Sequence, residues 1–305
     1  MSRPFKLEGC WTAMTSPFSA DGRVLDLNRW EAQLKFQAAG GVRGVVPCGT
    51  TGEAPTLETS EQRTLIAKAV EVAKPLGLGV IGGAGSNSTH HAVELHRMVA
   101  ATGADAALHV APYYNKPSQE GIYRHFMAIA DSCDIPIVLY SIPGRCGVAI
   151  LPETVERLAS HPNIVAIKEA TGSLDSASEI RRRCALPILS GDDSLTIGFQ
   201  SVGAIGVVSV VSNLVPERVQ SLVDACNRND FESARATHEQ LLPLAKGLLS
   251  LDVNPVPVKT AMSLLGRDSG ALRLPLCAPS DAVKRQIGEL LKAQGLAATA
   301  QAVRA

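Results

Sequence analysis

Neither sign of charge prevails in this chain: 29 lysines and arginines stand against 29 aspartates and glutamates. Such a balance casts no global field and argues against a nucleic-acid partner or an anionic membrane surface. The seven cysteines, at 10, 48, 133, 146, 184, 226 and 277, are scattered and form no CxxC pair. A disulfide framework and a zinc site are both disfavoured, and the pattern reads as reduced thiols in a cytoplasmic protein. The opening MSRPFKLEGC holds no apolar signal core. Long hydrophobic runs are missing as well. The most apolar one, over 202–215, is broken by glycine, serine and asparagine and is too short to span a bilayer. His90, His91 and His96 lie close together without the i, i+4 spacing of a helical metal pair. They read as surface helix residues, so no metal and no cofactor are expected.

Against these absences stands one stretch, NIVAIKEATG over 163–172. Ile164, Val165, Ala166 and Ile167 form the apolar run of a strand buried on both faces. Lys168 follows at once. Burial disfavours a charged amine, and a lysine that is neutral near pH 7 can attack a carbonyl and form a Schiff base. The alternative is a lysine that marks the strand end and lets its ammonium snorkel to water. The rest of the chain decides between the two.

At 305 residues the chain has the size of a single (β/α)8 unit. Short β-rich runs begin near Gly9, Gly44, Gly79, Ala106, Pro136, Ile164, Pro187 and Gly206, with amphipathic segments between them. Helices are expected over 26–39, ending at Gly40-Gly41, and from a Thr59 or Ser60 cap to about Ala73. Ser88 and Ser118 precede two more, and Pro152 opens another. Further helices are expected over 174–183, 194–202 and from Pro216. Eight strand–helix units in series imply a closed parallel TIM barrel over 1–229. Beyond it, 231–249, 256–265 and 281–293 read as helices with no comparable strand. Residues 230–305 are therefore expected to form a C-terminal helical extension, joined without a linker or low-complexity tract.

Barrels of this kind carry their chemistry at the C-terminal strand ends. The second strand ends in Cys48-Gly49-Thr50-Thr51-Gly52-Glu53, with hydroxyl and backbone donors suited to a small carboxylate. The fourth ends in Tyr113-Tyr114-Asn115-Lys116-Pro117. The fifth carries Tyr140, which adjacent strands would set beside Lys168, where a phenol can shuttle protons. Arg145, just beyond, offers the bidentate geometry that a substrate carboxylate requires, or else a surface salt bridge. Ser190-Gly191-Asp192-Asp193 ends the seventh strand and could cap a helix. No glycine-rich phosphate cradle follows strands seven and eight.

Lys168, Tyr140, GTTGE, PYYNKPSQEG and SGDD together resemble the dihydrodipicolinate synthase and N-acetylneuraminate lyase superfamily of pyruvate-dependent Schiff-base enzymes. The resemblance covers nearly the whole chain, including NPVPVK at 254–259 and LRLPL at 272–276. It is nearest to the synthase branch, which condenses pyruvate with L-aspartate 4-semialdehyde in the lysine (diaminopimelate) pathway. It implies an imine between Lys168 and pyruvate, with Tyr140 as proton donor and acceptor. Thr50 and Tyr114 would complete a proton relay, Tyr114 entering from the partner subunit of a tight dimer. Thr51 and the backbone at Val208 would hold pyruvate, and Arg145 would receive the aldehyde's carboxylate. Dimers or tetramers built as dimers of dimers are implied too. Two positions depart from the usual pattern: Ser141 stands where asparagine follows the tyrosine, and Cys146 where threonine is common. A related 2-oxo acid aldolase or hydratase therefore stays open, as does a non-catalytic metabolite-binding regulator. Where lysine-sensitive relatives carry histidines and an acid, this chain has Thr59, Gln62 and His91. Weak inhibition by lysine, or none, is the expectation.

Overall fold

The computed structural model describes residues 6–296. Residues 1–5 of the opening read for a signal core, and the end of the expected extension from 297, lie outside them. Eight strands are present: β1 (Gly9–Ala13), β2 (Gly44–Val46), β3 (Gly79–Gly83), β4 (Ala106–Val110), β5 (Ile137–Ser141), β6 (Ile164–Glu169), β7 (Ile188–Ser190) and β8 (Gly206–Ser209). Each starts within one residue of the expected position. They pair in parallel in chain order, and β1 closes on β8 through Gly9↔Gly206 and Trp11↔Val208. The result is a (β/α)8 TIM barrel.

Side-chain alternation divides the core in two. Trp11, Ile81, Val138, Ala166, Leu189 and Val208 fill the barrel interior. The Trp11 indole lies across the starts of β2 and β3, where a Cβ on Gly44 or Gly79 would run into its ring. Glycine is required there because the ring occupies the space of a side chain. Outward-facing residues of the strands pack under the helices, as Val45, Val80 and Val207 do.

Asp26, Ser88 and Ser118 cap the helices Leu27–Ala39, Thr89–Ala101 and Gln119–Ala130 by accepting a backbone N–H from the first turn. Pro152 and Pro216 open the helices Pro152–Leu158 and Pro216–Asn227 at the position where a missing N–H costs nothing. After Asn229 come the helices Phe231–Ser250, Val256–Leu264 and Asp281–Ala293. Leu241, Leu244 and Leu248 join the cluster that holds Val210, Val211 and Leu214 beyond β8. Among the described residues no helix is long and apolar enough to cross a membrane.

Three expectations need correction. Helix Thr59–Ala73 is capped by Glu58, not by Thr59 or Ser60; a capping box forms in which the Glu58 N–H donates to Glu61 at 3.0 Å. The segment expected as one helix over 194–202 is split into a 3-10 turn, Asp193–Leu195, and a helix, Thr196–Ser201. His90 and His91 are exposed, but His96 is fully buried and its Nδ1 lies 3.0 Å from Nε2 of His109 on β4. The buried stripe of that helix runs through Ala92, Leu95, His96 and Val99, so the helical period turns His96 inward. Burial pushes the His96 imidazole down to about 4, and it stays neutral.

Candidate active site

Strand β5 pairs with β6 in a register that sets Tyr140 opposite Lys168. Both are two residues beyond interior positions, Val138 and Ala166, so both point into the barrel mouth. The Lys168 Nζ sits 4.1 Å above the centre of the Tyr140 ring. A cavity of about 140 Å³ opens there, lined by Thr50, Thr51, Arg145 and Asn254 as well as this pair.

Lys168 is 7% exposed. Burial lowers its amine to about 8; Asp193 works against that shift, and Arg145 adds to it. A lysine snorkelling to water would have neither the burial nor the shift. Tyr140 is pushed up to about 12, again by burial, with Arg145 and the hydrogen bond to the Thr50 side chain pulling the other way. The phenol thus stays protonated at neutral pH beside an amine of which a usable fraction is free. This is the pairing required for proton transfer during attack on a carbonyl.

The threonines enter on the loop after β2, which begins with Cys48 in the left-handed region and ends with Glu53 there as well. Thr51 Oγ1 accepts a hydrogen bond from Asn254 Nδ2 at 3.0 Å, which leaves the Thr51 hydroxyl proton for another acceptor. Arg145 lies on the turn Pro143–Cys146 and donates to the Asn254 carbonyl at 3.3 Å. Val208 is buried in β8 and does not line the cavity; Val210 does. Tyr114 is not brought in at all. Its side chain is 89% exposed and its backbone φ is 71°, so the loop presents the ring outward. Asn115 Nδ2 fastens that loop to the Asn87 carbonyl at 3.0 Å.

The departures from the usual pattern have local explanations. Ser141 Oγ accepts from the Ile150 N–H at 3.1 Å, tying strand β5 to the segment after the Arg145 turn. Cys146 is buried, and burial pushes its thiol up to about 11. A second cavity of about 390 Å³ adjoins the first and is lined by Thr59, Gln62, His91 and Tyr113.

Three features escaped the sequence reading. Asp192 does cap a turn, through Ser194, but Asp193 is buried and accepts from Ser209 Oγ, Val210 N and Val211 N. Asn254 lines the lysine cavity from the C-terminal segment. Lys259 and Glu53 form a fully buried ion pair at 2.7 Å beneath the threonine loop. SGDD and NPVPVK were visible as motifs, but nothing in their spacing says which carboxylate turns inward or where the later segment docks.

A model of the dihydrodipicolinate synthetase family matches residues 6–294. A 4-hydroxy-tetrahydrodipicolinate synthase of Pelobacter propionicus is 47% identical over 291 residues, covering 95% of this chain and 99% of that protein. The corresponding synthase of Geotalea daltonii is 46% identical over 287 residues, covering 93% and 98%. The crystal structure of dihydrodipicolinate synthase from Aquifex aeolicus superposes with a TM-score of 0.93 at 41% identity, covering 96% of this chain and 100% of that one. Barrel, lysine strand and terminal helices are thus matched together, and the chain belongs to the dihydrodipicolinate synthetase family.

Proposed function

We propose that this enzyme condenses pyruvate with L-aspartate 4-semialdehyde through an imine on Lys168, yielding 4-hydroxy-tetrahydrodipicolinate for lysine and diaminopimelate biosynthesis. The observation that carries this is the Lys168–Tyr140 pair: a buried amine lowered to about 8 against a phenol held protonated. The neutral amine forms a C–N bond to the keto carbon while the carbonyl electron pair moves to oxygen. One proton passes from the nitrogen to that oxygen through Tyr140, a second reaches it from solvent through the same phenol, and it leaves as water, giving the iminium. Loss of a methyl proton turns the iminium into an enamine, whose carbon attacks the aldehyde carbon. The new alkoxide takes a proton, and the substrate's own amine then displaces Lys168 from the imine carbon, closing the ring.

Thr51 supports this reading as a donor to the pyruvate carboxylate, because Asn254 already fills its acceptor side. The backbone just beyond Val208, where Val210 lines the cavity, would hold the same carboxylate, and Thr50, beside Tyr140 on the cavity wall, would pass protons outward. Arg145 at the mouth is the partner for the aldehyde's carboxylate. Tyr114 would complete the relay in a neighbouring subunit, since its exposed ring faces away from its own barrel. The assembly is accordingly a dimer or a tetramer, working in the cytoplasm. Residues 1–229 act as the catalytic barrel and 230–305 as its extension, a division supported by the turn at Asn229, which stands in the left-handed region.

Borohydride reduction in the presence of pyruvate, followed by mass spectrometry, tests the central step. A reduced pyruvyl group on Lys168 is expected, and Lys168→Ala should take up none. An unmodified Lys168 in a protein that turns over would defeat the mechanism. In a coupled assay, aspartate semialdehyde should outperform other aldehydes and 2-oxo acids; faster cleavage of 4-hydroxy-2-oxoglutarate would move the activity to the aldolases.

A further inference from the structure

Two carboxylates line the Lys168 cavity, and they are used differently. Asp192 is partly exposed and spends Oδ1 on the N–H and hydroxyl of Ser194, both at 2.8 Å, as an ordinary cap. Asp193 turns inward and is 8% exposed. Its Oδ1 accepts from Ser209 Oγ at 2.5 Å, and its Oδ2 accepts from Val210 N at 2.8 Å and Val211 N at 3.2 Å. Ser209 Oγ accepts in turn from Ser212 N at 2.9 Å. One carboxylate therefore ties the end of β7 to the four residues that follow Val208.

A loop can be pinned without burying a charge, since a neutral serine or asparagine oxygen also accepts N–H bonds. A buried carboxylate has to be desolvated, and a structural role alone does not offset that. What the charge adds is a field at Lys168. The two groups are not an ion pair: no Lys168–Asp193 contact within 4.0 Å is present among the described residues, so the amine is left free to move onto a substrate. Asp193 nonetheless is the largest charge opposing the effect of burial on that amine. Once Lys168 has condensed with a keto acid, its nitrogen is that of an iminium, and a nearby negative charge favours this charged form over the neutral imine.

We propose that Asp193 is a positioning residue for the imine chemistry, the counter-charge of the Lys168 iminium and the anchor of the backbone beyond Val208. The inference rests on Lys168 being the imine-forming residue. Other groups facing the pair modulate it without replacing it. Arg145, from the turn after β5, opposes the lysine's positive charge; the Tyr140 ring faces the amine; Asp192 adds like charge beside Asp193; and the Cys10 thiol of β1 is pushed up by burial and by Asp193. Asp193 itself is raised to about 6 by burial, held from rising further by its three hydrogen bonds, so it is ionised at neutral pH.

The test is the pH dependence of pyruvate trapping by borohydride, read with the pyruvate KM, in the full-length enzyme and in Asp193→Asn, Asp193→Glu and Ser209→Ala. In Asp193→Asn the acid-side midpoint of trapping should fall by about one pH unit, because removing an opposite charge disfavours the charged amine. Imine occupancy at a fixed pyruvate concentration should fall with it. Asp193→Glu keeps the charge and misplaces it, so its midpoint should stay near the parent value while KM rises. Ser209→Ala loses one anchor and keeps the charge: KM should rise and the midpoint should not move. An Asp193→Asn profile that overlays the parent overturns the proposal. If that variant does not fold, a shifted midpoint in Asp193→Glu or Ser209→Ala overturns it just as well. Failure of the parent enzyme to trap pyruvate on Lys168 is a different result and refutes the imine reading instead.

Discussion

At the scale of single residues, the proposed imine chemistry and stability pull Lys168 in opposite directions. Its amine falls from 10.5 in the open chain to about 8 when buried. Below about 8 both states hold the proton, and the folded state bears the whole cost of the buried charge. Between about 8 and 10.5 the unfolded chain binds more protons, so stability rises with pH across that window. The cost at pH 7 is on the order of 3 kcal/mol. Lys168→Met, similar in length and apolar, should be inactive yet more stable by ~1–3 kcal/mol at pH 7. Urea unfolding should show that gain shrinking at pH 10; a destabilised Met variant would mean that the lysine is not strained. Arg145 belongs to the same scale. Arg145→Ala should lower kcat/KM for the aldehyde by about 10- to 150-fold, equivalent to a charge-assisted contact of ~1.5–3 kcal/mol. Pyruvate trapping should persist in that variant, and its loss would place Arg145 on pyruvate instead.

Among the elements, the loop after β2 depends on a segment some two hundred residues later. Glu53 Oε1 pairs with Lys259 Nζ at 2.7 Å, Glu53 Oε2 accepts from Arg273 N at 3.1 Å, and Lys259 also donates to the Ser16 carbonyl at 2.9 Å. Both partners of the pair are fully buried, and Lys259 faces the Phe18 ring at 4.2 Å. Removing one partner strands the other charge, so Lys259→Met or Glu53→Gln alone should cost ~3–5 kcal/mol. The double variant should cost clearly less than the two singles added, since it leaves no unpaired charge. Denaturation of the four proteins gives the coupling directly. Simple additivity would show that the pair does not hold the loop.

On the proposed reading, function at the scale of the whole molecule extends beyond one barrel. Tyr114 is exposed and turned outward, so a relay that includes it requires a second chain. Mixing inactive Tyr114→Phe with inactive Lys168→Ala subunits should restore part of the activity after subunit exchange. No recovery after demonstrated exchange would return Tyr114 to its own subunit. Regulation is read at the same scale. The cavity beside the active site presents Thr59, Gln62, His91 and Tyr113, with no carboxylate in its lining to meet an effector's ammonium. A neutral imidazole offers no ion pair, and a protonated one repels a cation. An effector that binds neither state well shifts no equilibrium. Millimolar lysine should leave initial rates nearly unchanged at neutral pH; half-inhibition below a millimolar would require an acid supplied from elsewhere.

Local pattern alone determined the eight strand starts, the Ser88 and Ser118 caps and the family, because period, cap chemistry and motif all act between near neighbours in the chain. The pairing of Tyr140 with Lys168 was legible too, since adjacent parallel strands leave little freedom of register once both are buried. Other decisions belonged to the tertiary structure. Whether His96 faces water or His109 depends on which stripe of its helix meets the barrel. Which of Asp192 and Asp193 turns inward depends on where β8 offers its free N–H groups. That Asn254 orients Thr51, and Lys259 neutralises Glu53, depends on helices that return to the barrel mouth after β8 has closed it. Such contacts join residues about two hundred positions apart, and only the packed core brings them within hydrogen-bonding distance.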